Sequence, residues 1–349
     1  MSQPTVIMTD EDLEGKLQNY CYTFCENDST NEIKNSRGLV YRDGQPFLKS
    51  FGYTPQYTFD TIDEETLKFI KDNFKDFKFF ESYEGTLLRL FFNDINKKWY
   101  LSTHRKLNAV KSRWGGGDTF GQQFNKIIQE EMYEKFDKNY NYMFIMTPNK
   151  NNRIVCTNTD SLYHIGTYDK NFNLSTDYDI GVQRPRRFEF EQFEDFEKHI
   201  EYQVDITKTQ GMIIHHSQTQ TNIKIYNKKY YDYFKVRNNV PSIMFRYLQV
   251  RTDDEMNKKM MELYTDHHTR FIEYENKLSD ISNNLYHKYM DRFVRKVYTT
   301  VSPPENAILK LCHGWHLRDK VHNKISVANV MKVINLAPAE LLNKLVKLK

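Results

Sequence analysis

Four polar residues that could do chemistry, Glu81, Ser82, Tyr83 and Glu84, crowd against Gly85 between two runs of β-branched and aromatic residues. A Glu-Gly pair in such a place lets a sheet present a carboxylate and an unobstructed backbone to a ligand. The Ser82 hydroxyl has no evident neighbouring base that would activate it as a nucleophile. The stretch therefore predicts groups that bind rather than groups that react.

Two basic segments lie on either side of this stretch in the chain. Arg37-Gly38 precedes an apolar run, where a guanidinium could sit over a phosphate while the glycine lets the backbone approach. The second segment, residues 99–117, interleaves cations with tryptophans, a mixture that suits phosphate contacts beside stacking platforms. Its candidate residues are Trp99, His104, Arg105, Lys106, Lys111, Arg113 and Trp114. The alternatives are a surface arginine beside a turn glycine and a solvated basic loop.

The elements that must position these residues are predicted to be mostly strands. The stretch around Gly85 is expected to form a central hairpin, and Asp43-Gly44 a second hairpin turn between strands at residues 36–41 and 47–51. Asp10–Gln18 is expected to be a short helix. Five further segments are predicted as strands: 142–146, 153–156, 163–168, 210–216 and 222–226.

From about residue 240 the apolar spacing becomes helical, with charged residues on the outer faces. We therefore expect an α+β protein, with an antiparallel-sheet domain over residues 1–245 and an all-helical domain over residues 246–349. The chain of 349 residues is long enough for two cores, and its 39% hydrophobic and 15% aromatic content excludes wholesale disorder.

A formal net charge of +4 permits phosphate binding without demanding it. The four cysteines lack the density of a disulfide framework, and no apolar run approaches the length of a bilayer span. These features predict a cytoplasmic protein without membrane association. Cys21 with Cys25, the pair His215-His216, and Cys312 with its neighbouring histidines are each interpreted as ordinary packing residues, and no metal site is predicted.

Taken in order, the segments over roughly residues 30–240 resemble the phage-type RNA ligases. These ligases are one branch of the covalent nucleotidyltransferases, a superfamily that also includes the capping guanylyltransferases. The matching segments are Ser36–Tyr41, Ser82–Leu87, Met143–Ile145 with Pro148 and Asn152–Val155, Gln210–Ile214, and Lys224–Tyr226. The resemblance implies a nucleotidyltransferase-like fold with a helical C-terminal domain, and an active site in which a lysine attacks the nucleotide α-phosphate.

The chain departs from that family at its catalytic positions. Ser82 stands where the resemblance places the lysine, and Met143 and Gln210 replace carboxylates. Tyr226 replaces one of two phosphate-clamping lysines, for which Lys235 or Arg237 could substitute. The binding groups that the resemblance retains are Arg37, Glu84, Gly85 and Lys224.

These departures favour a non-catalytic protein that binds a nucleotide or an RNA 5′ end, with a guanosine-capped end as one ligand and no cofactor required. Its predicted contacts are Arg37, the basic segment, Glu81–Glu84, Gln210, Lys224, Tyr226, Lys235 and Arg237. One alternative is an active RNA ligase or capping enzyme that uses Mg²⁺ with ATP or GTP and takes Lys78 as its nucleophile. Another is a structural subunit. In the binding hypothesis, the helical domain is the surface to which a protein partner binds. If the protein is viral, its expected location is the host cytoplasm.

Overall fold

The computed structural model of the protein describes residues 3–13, 16–115, 117–147, 153–155 and 159–348. Within these ranges, strands with alternating buried and exposed residues form three β-sheets. The described residues form two compact units, 1–232 and 233–349. The strands are β1 Val6–Glu11, β2 Leu17–Tyr22, β3 Leu39–Arg42, β4 Gln45–Leu48, β5 Gln56–Tyr57, β6 Phe77–Ser82, β7 Thr86–Asn93, β8 Lys98–Ser102, β9 Asn141–Thr147, β10 Ser161–Tyr168, β11 Leu174–Ser175, β12 Arg187–Phe188, β13 Gly211–His216 and β14 Thr221–Tyr226.

The first sheet has the order β1-β2-β3-β4, the second β11-β10-β9-β7-β8 and the third β12-β6-β13-β14-β5. All pairings are antiparallel except that of β5 with β14. The predicted hairpin at Asp43-Gly44 is present, and both turn residues have positive φ as a tight two-residue turn requires.

The central hairpin predicted around Gly85 is wrong. Its two strands, β6 and β7, belong to different sheets, and Tyr83–Gly85 carries the chain from the third sheet to the second. A side chain at Gly85 would bring its Cβ to 2.5 Å from the Met146 carbonyl oxygen. Glycine is therefore required because the linker crosses against the backbone of β9, and not because a hairpin turns there.

Two other local predictions are also wrong. The expected helix at residues 10–18 is replaced by the ends of β1 and β2, whose pairing buries alternate residues of β2. The expected strand at residues 153–156 is a bend over its described part, Arg153–Val155, while Cys156 lies outside the described residues. Its backbone N–H groups at Ile154 and Val155 donate to the Glu84 carboxylate, so they are not available to a neighbouring strand.

Helices cover one side of the second and third sheets. Those before the last strand are α1 Asn31–Asn35, α2 Glu64–Asp72, α3 Phe120–Asn125, α4 Glu130–Tyr133 and α5 Phe193–Lys198. Helix α2 packs Ile70 against the Phe79 side of the third sheet, and α3 packs Phe124 against the second sheet. Burial of these aromatic faces stabilises the sheets that hold the polar residues around Ser82.

The second unit has helices and no strand among its described residues, and it has cores of its own. Helix α6, Lys228–Arg237, contains the division between the units. The later helices are α7 Ile243–Val250, α8 Asp254–Leu263, α9 His268–Tyr289, α10 Pro303–Arg318, α11 Val327–Asn335 and α12 Ala339–Leu345. The predicted α+β class, with sheets followed by a helical region, is confirmed. None of the described helices is both long and apolar enough to span a bilayer.

Candidate functional site

A short chain of hydrogen bonds joins Ser82, Gln210 and Lys224 at one end of the third sheet. Ser82 Oγ donates to Gln210 Oε1 over 3.1 Å, and Lys224 Nζ donates to the same oxygen over 3.1 Å. Gln210 Nε2 donates to the Tyr230 hydroxyl over 2.7 Å. Ser82 and Gln210 are buried, whereas Lys224 is partly exposed. The arrangement therefore directs the Lys224 ammonium group into a buried polar network.

Strand register explains why these residues, far apart in sequence, meet. Ser82 ends β6 and lies opposite Gly211 at the start of β13, while Gly211 lies opposite Tyr226 on β14. Gly211 has a φ of +140°, and a Cβ there would overlap the Ile225 carbonyl. Glycine at this position lets the chain bring Gln210 beside the end of β6.

Lys224 has a perturbed acid–base equilibrium. Burial lowers its pKa to about 8, with the nearby Arg37 charge acting in the same direction and Glu84 opposing both. Among the described residues, no carboxylate lies within ion-pair distance of its ammonium group, and its hydrogen-bond acceptor is the neutral Gln210 amide. Such a cation is stabilised by an incoming anion.

Arg37 adds a second cation within electrostatic range of Lys224. It is partly exposed, and its Nε atom is buried without a hydrogen-bond partner in the described part of the chain. A buried guanidinium nitrogen costs free energy unless a partner is supplied, so a ligand oxygen there would be stabilising.

Arg89 is a functional-site neighbour that we did not identify from the sequence. It is fully buried, donates to the Gly38 carbonyl over 2.6 Å and to Ser102 Oγ over 3.0 Å, and burial lowers its pKa to about 9. An arginine inside the apolar run of β7 is the signal that could have revealed it. By holding Gly38, Arg89 positions the adjacent Arg37.

His104 is not a cation at neutral pH. Burial lowers its pKa to about 3, and the surrounding Arg37, Arg105 and Arg89 charges act in the same direction. The Cα of His104 lies 2.9 Å from where a Cβ on Gly38 would stand, so the basic loop and the Arg37-Gly38 turn are packed together.

Glu84 makes contacts that stabilise the fold. Its Oε2 accepts hydrogen bonds from the backbone N–H groups of Ile154 and Val155 over 3.0 and 2.9 Å. The Arg153 guanidinium lies 3.9 Å from Glu84 Oε1 and stacks over the Trp114 ring at 4.0 Å. Glu84 therefore holds the 153–155 bend, and Trp114 is covered on one face by Arg153.

Glu81 and Tyr83 lie apart from this network. Along β6 successive side chains alternate between faces, so Glu81 shares the face of its partner Met212 and not that of Ser82. Tyr83 donates to Glu81 Oε2 over 2.5 Å and stacks on Tyr163 with the ring centroids 3.9 Å apart. Burial and the Glu81 hydrogen bond raise the pKa of Tyr83.

The other predicted contacts are dispersed. Trp99 packs in the core of the second sheet, and Arg105 donates to the carbonyls of Tyr22 and Thr23. Lys106 pairs with Asp10. Four residues remain to be placed: Lys111 and Arg113 are exposed on the basic loop, and Lys235 and Arg237 lie on helix α6 in the second unit.

Tyr226 stands next to the network, with the Lys224 ammonium 5.2 Å from its ring centroid, and its hydroxyl donates to Gln56 Oε1 over 2.7 Å. Lys78, the alternative nucleophile, lies on β6 opposite His215 and forms an ion pair with Asp177 over 2.7 Å. It is therefore displaced along the strand from Ser82 and already holds a counter-charge.

The resemblance to nucleotidyltransferases implies magnesium, but the residues here do not fit that ion. Met143 is fully buried and apolar, and Gln210 is a neutral amide engaged in the network. Within the described ranges, no group of three histidine, cysteine or acidic residues could hold a metal. Hard cations such as magnesium bind through carboxylate oxygens, which these positions lack.

Two viral proteins are similar to this chain in sequence. Each is called an immediate-early protein ICP-46 homolog. The relative from invertebrate iridescent virus 3 is 30% identical over 297 residues, covering 79% of this chain and 64% of the relative. The relative from invertebrate iridescent virus 6 is 27% identical over 355 residues, covering 90% of this chain and 76% of the relative. The chain thus spans less than two thirds of the first relative, and no protein-family model matches it.

Two solved structures align with most of this chain at low sequence identity. Form 1 of an archaeal ATP-dependent RNA ligase has a TM-score of 0.48 at 11% identity, covering 79% of this chain and 76% of that chain. A protein described as a putative ATP-dependent DNA ligase, from Aquifex aeolicus, has a TM-score of 0.49 at 11% identity, covering 78% of this chain and 77% of that chain.

Proposed function

We propose that residues 1–232 bind a nucleotide or an RNA 5′ end through its phosphates, without transferring a nucleotidyl group. The observation that carries this proposal is the state of Lys224, a partly buried ammonium whose hydrogen-bond acceptor is a neutral amide. Arg37, with its unpartnered Nε, lies within electrostatic range. Two cations that contact no neutralising carboxylate among the described residues are stabilised by a phosphate.

The proposed absence of transfer follows from the chemistry at Ser82. Its hydroxyl donates to Gln210, and no base accepts its proton in the described residues. Attack on a phosphorus atom would require an activated nucleophile. With neutral residues at positions 143 and 210, the site also lacks the carboxylates that would hold magnesium beside the leaving pyrophosphate.

A capped 5′ end is the more specific form of the proposal. A guanine methylated at N7 is cationic, so it stacks well on tyrosine and pairs its edge with a carboxylate. Tyr83 and Tyr163, next to Glu81, offer these groups. Since Glu81 lies on the other face of β6 from Ser82, this guanine position is separate from the phosphate contact at Lys224. Because the two rings are already in stacking contact, the guanine would lie on the outer face of the pair and not between the rings.

The binding proposal is tested by thermal unfolding of the protein with ATP, GTP, a methylated cap analogue or a short 5′-phosphorylated RNA. A ligand that binds only the native state raises the unfolding temperature. We expect a rise with at least one phosphate ligand, which Lys224→Met abolishes and Lys98→Met, on an exposed lysine of β8, leaves intact. No rise with any ligand would overturn the proposal and favour the structural-subunit alternative.

The ligase alternative is tested by incubation with α-labelled ATP or GTP and magnesium. We expect no covalent label on the protein over a range of divalent metals. A stable label would show that an amine elsewhere has replaced Ser82, and the proposal of a non-catalytic protein would fail.

The helical unit, residues 233–349, is proposed as a docking surface for a protein partner. Several of its apolar side chains are exposed, including Tyr298 at 91% and Val294 at 57%. Exposed apolar side chains favour protein contacts when they cluster. Location in the cytoplasm of an infected host is the corresponding expectation for a protein with viral relatives.

A further inference from the structure

One row of side chains crosses the third sheet from Lys224, a member of the Ser82 network, to residues that the network does not use. Arg187 on β12 lies opposite Phe80 on β6, Phe80 lies opposite Ile213 on β13, and Ile213 lies opposite Lys224 on β14. Residues directly opposite in neighbouring strands point to the same face of a sheet. The row therefore places a cation at each end of an apolar strip.

This face of the sheet is accessible to a ligand. Phe80, Ile213 and Lys224 are partly exposed, and the Arg187 side chain is 48% exposed. The residues that alternate with them face the core: Phe79, Met212 and Ile225 are buried against α2 and α5. One face of the sheet thus supplies the core, while the other has an aromatic and aliphatic surface bounded by positive charge.

The two cations are too far apart for one phosphate group. Three steps between strands separate their backbones, about 14 Å at the usual spacing. The ammonium of Lys224 is directed to Gln210 and Tyr226, and the guanidinium of Arg187 lies 3.7 Å from Glu189, so the two groups do not converge. Two phosphates of one extended chain would be needed to contact both.

Further positive charge accompanies Arg187 at this edge. Arg184 lies in the same segment and, like Arg187, acts electrostatically on Asp177. The segment is anchored because Glu81 N donates to the Arg186 carbonyl over 2.9 Å, while the Arg186 guanidinium stacks over Phe188, which packs against the core. The opposing acids are Asp177, which pairs with Lys78, and the largely exposed Glu189. Lys78, Arg184 and Arg187 together outnumber these two carboxylates.

We propose that this open face binds a single-stranded nucleic acid, with the 5′ phosphate at Lys224, a base stacked on Phe80 and a later phosphate at Arg187. The inference rests on the proposed function and specifies its ligand as an oligonucleotide chain, not a mononucleotide. Aromatic stacking combined with backbone-directed cations is the usual way in which proteins hold single strands.

The test compares two probes on the same protein variants. One probe is a 5′-phosphorylated oligouridylate about eight nucleotides long, a length in the range that single-strand-binding folds cover, with a fluorophore at its 3′ end. The other is ATP or GTP, whichever raises the unfolding temperature more. Arg187→Ala and Arg187→Glu are compared with Lys98→Ala, a matched exposed cation on an edge strand of the second sheet.

We expect Arg187→Ala to weaken oligonucleotide binding about threefold to tenfold and to lower the salt dependence by about one counterion. Arg187→Glu should weaken it further. Neither change should alter nucleotide binding, and Lys98→Ala should alter neither probe. The oligodeoxyuridylate of the same length, measured in parallel, shows whether the protein prefers RNA or DNA. Binding of this DNA should depend on Arg187 in the same way.

Different experimental results would contradict the inference that the face binds an oligonucleotide and the proposal that the protein binds phosphate. If the wild-type protein binds the nucleotide but the oligonucleotide binds no tighter, or if Arg187→Glu binds the oligonucleotide like wild type, the chain-binding inference is overturned and phosphate binding stands. If neither probe binds the wild-type protein, the proposed function itself fails. Unchanged thermal unfolding of the Arg187 variants verifies that a loss of binding is not a loss of folding.

Discussion

At the residue scale, the decisive feature of the candidate site is that the Lys224 ammonium donates its hydrogen bond to a neutral amide, that of Gln210. Gln210 Oε1 accepts from both Ser82 and Lys224, where the resemblance to nucleotidyltransferases implies a carboxylate and a lysine nucleophile. A carboxylate at position 210 would neutralise Lys224 by pairing with it. The amide satisfies the hydrogen bond and leaves the positive charge for a ligand.

The first prediction concerns pH. The pKa of Lys224 is lowered to about 8, so the group is protonated below that value and loses its charge as the pH rises above it. Affinity for a 5′-phosphorylated RNA should therefore be nearly constant from pH 6.5 to 7.5 and fall several-fold by about pH 9, where a terminal phosphate remains doubly ionised. Fluorescence anisotropy measures this affinity over the same pH range.

Lys224→Arg provides the control for this pH dependence, because arginine stays charged throughout the range. Its affinity should vary little between pH 7 and 9. An equally steep decline in this variant would mean that another group is responsible, and the assignment of the phosphate contact to Lys224 would be wrong.

The second prediction concerns Gln210→Glu. A carboxylate in contact with the Lys224 ammonium should raise the lysine pKa and compete with the ligand phosphate for the same charge. We expect affinity at neutral pH to fall about tenfold and the decline near pH 8 to disappear. Isothermal titration with the nucleotide tests this, and affinity equal to that of wild type would contradict it.

At the element scale, the linker between two sheets positions the site. Tyr83–Gly85 leaves β6 and enters β7 against the backbone of β9, which places Ser82 at the end of one sheet and Glu84 over the 153–155 bend. Register then places Lys224 within reach of Gln210. The site depends on this crossing more than on any single strand.

The third prediction is that Gly85→Ala destabilises the first unit by about 1–3 kcal/mol, the usual cost of forcing extra atoms into a packed interior. The added Cβ would lie 2.5 Å from the Met146 carbonyl oxygen and 2.8 Å from Ile145 Cγ2. Urea unfolding followed by tyrosine and tryptophan fluorescence measures the change.

Gly314→Ala is the matched control, since this glycine lies inside helix α10 and no atom lies within 4 Å of its Cβ position. It should stabilise the second unit by up to about 1 kcal/mol, because alanine favours the helix. Equal effects of the two substitutions would show that the crossing at Gly85 is not tightly packed.

At the scale of the whole molecule, each unit has its own buried clusters, so each can be considered separately. The division falls within helix α6, where Tyr230 is fully buried and bonded to Gln210, while the Arg237 side chain donates to the carbonyls of Asn238 and Val240. The predicted boundary after residue 245 falls inside helix α7.

The fourth prediction compares two fragments of the chain. Residues 1–239, which keep all of helix α6, should fold and bind the nucleotide with nearly the affinity of the full chain. Residues 1–227 lack Tyr230, leaving the buried Gln210 amide without its partner, so binding should be lost or much weaker. Thermal shift and anisotropy test both, and equal binding by the fragments would remove Tyr230 from the site.

Several features followed from the sequence alone because their causes are local. Asp43-Gly44 can adopt the positive φ values of a tight turn, alternating apolar residues gave β13 and β14, and helical spacing gave the C-terminal region. The absence of a lysine at position 82 is likewise read directly from the residues.

Only the tertiary structure decided which groups meet, because those contacts join segments distant in the chain. It separated β6 from β7, gave Glu84 backbone partners near residue 154, and connected Ser82 through Gln210 to Lys224. Local patterns specify which residues can lie in a strand or turn. Which strands pair, and which cation has a neutral hydrogen-bond acceptor, depends on the packing of the whole unit.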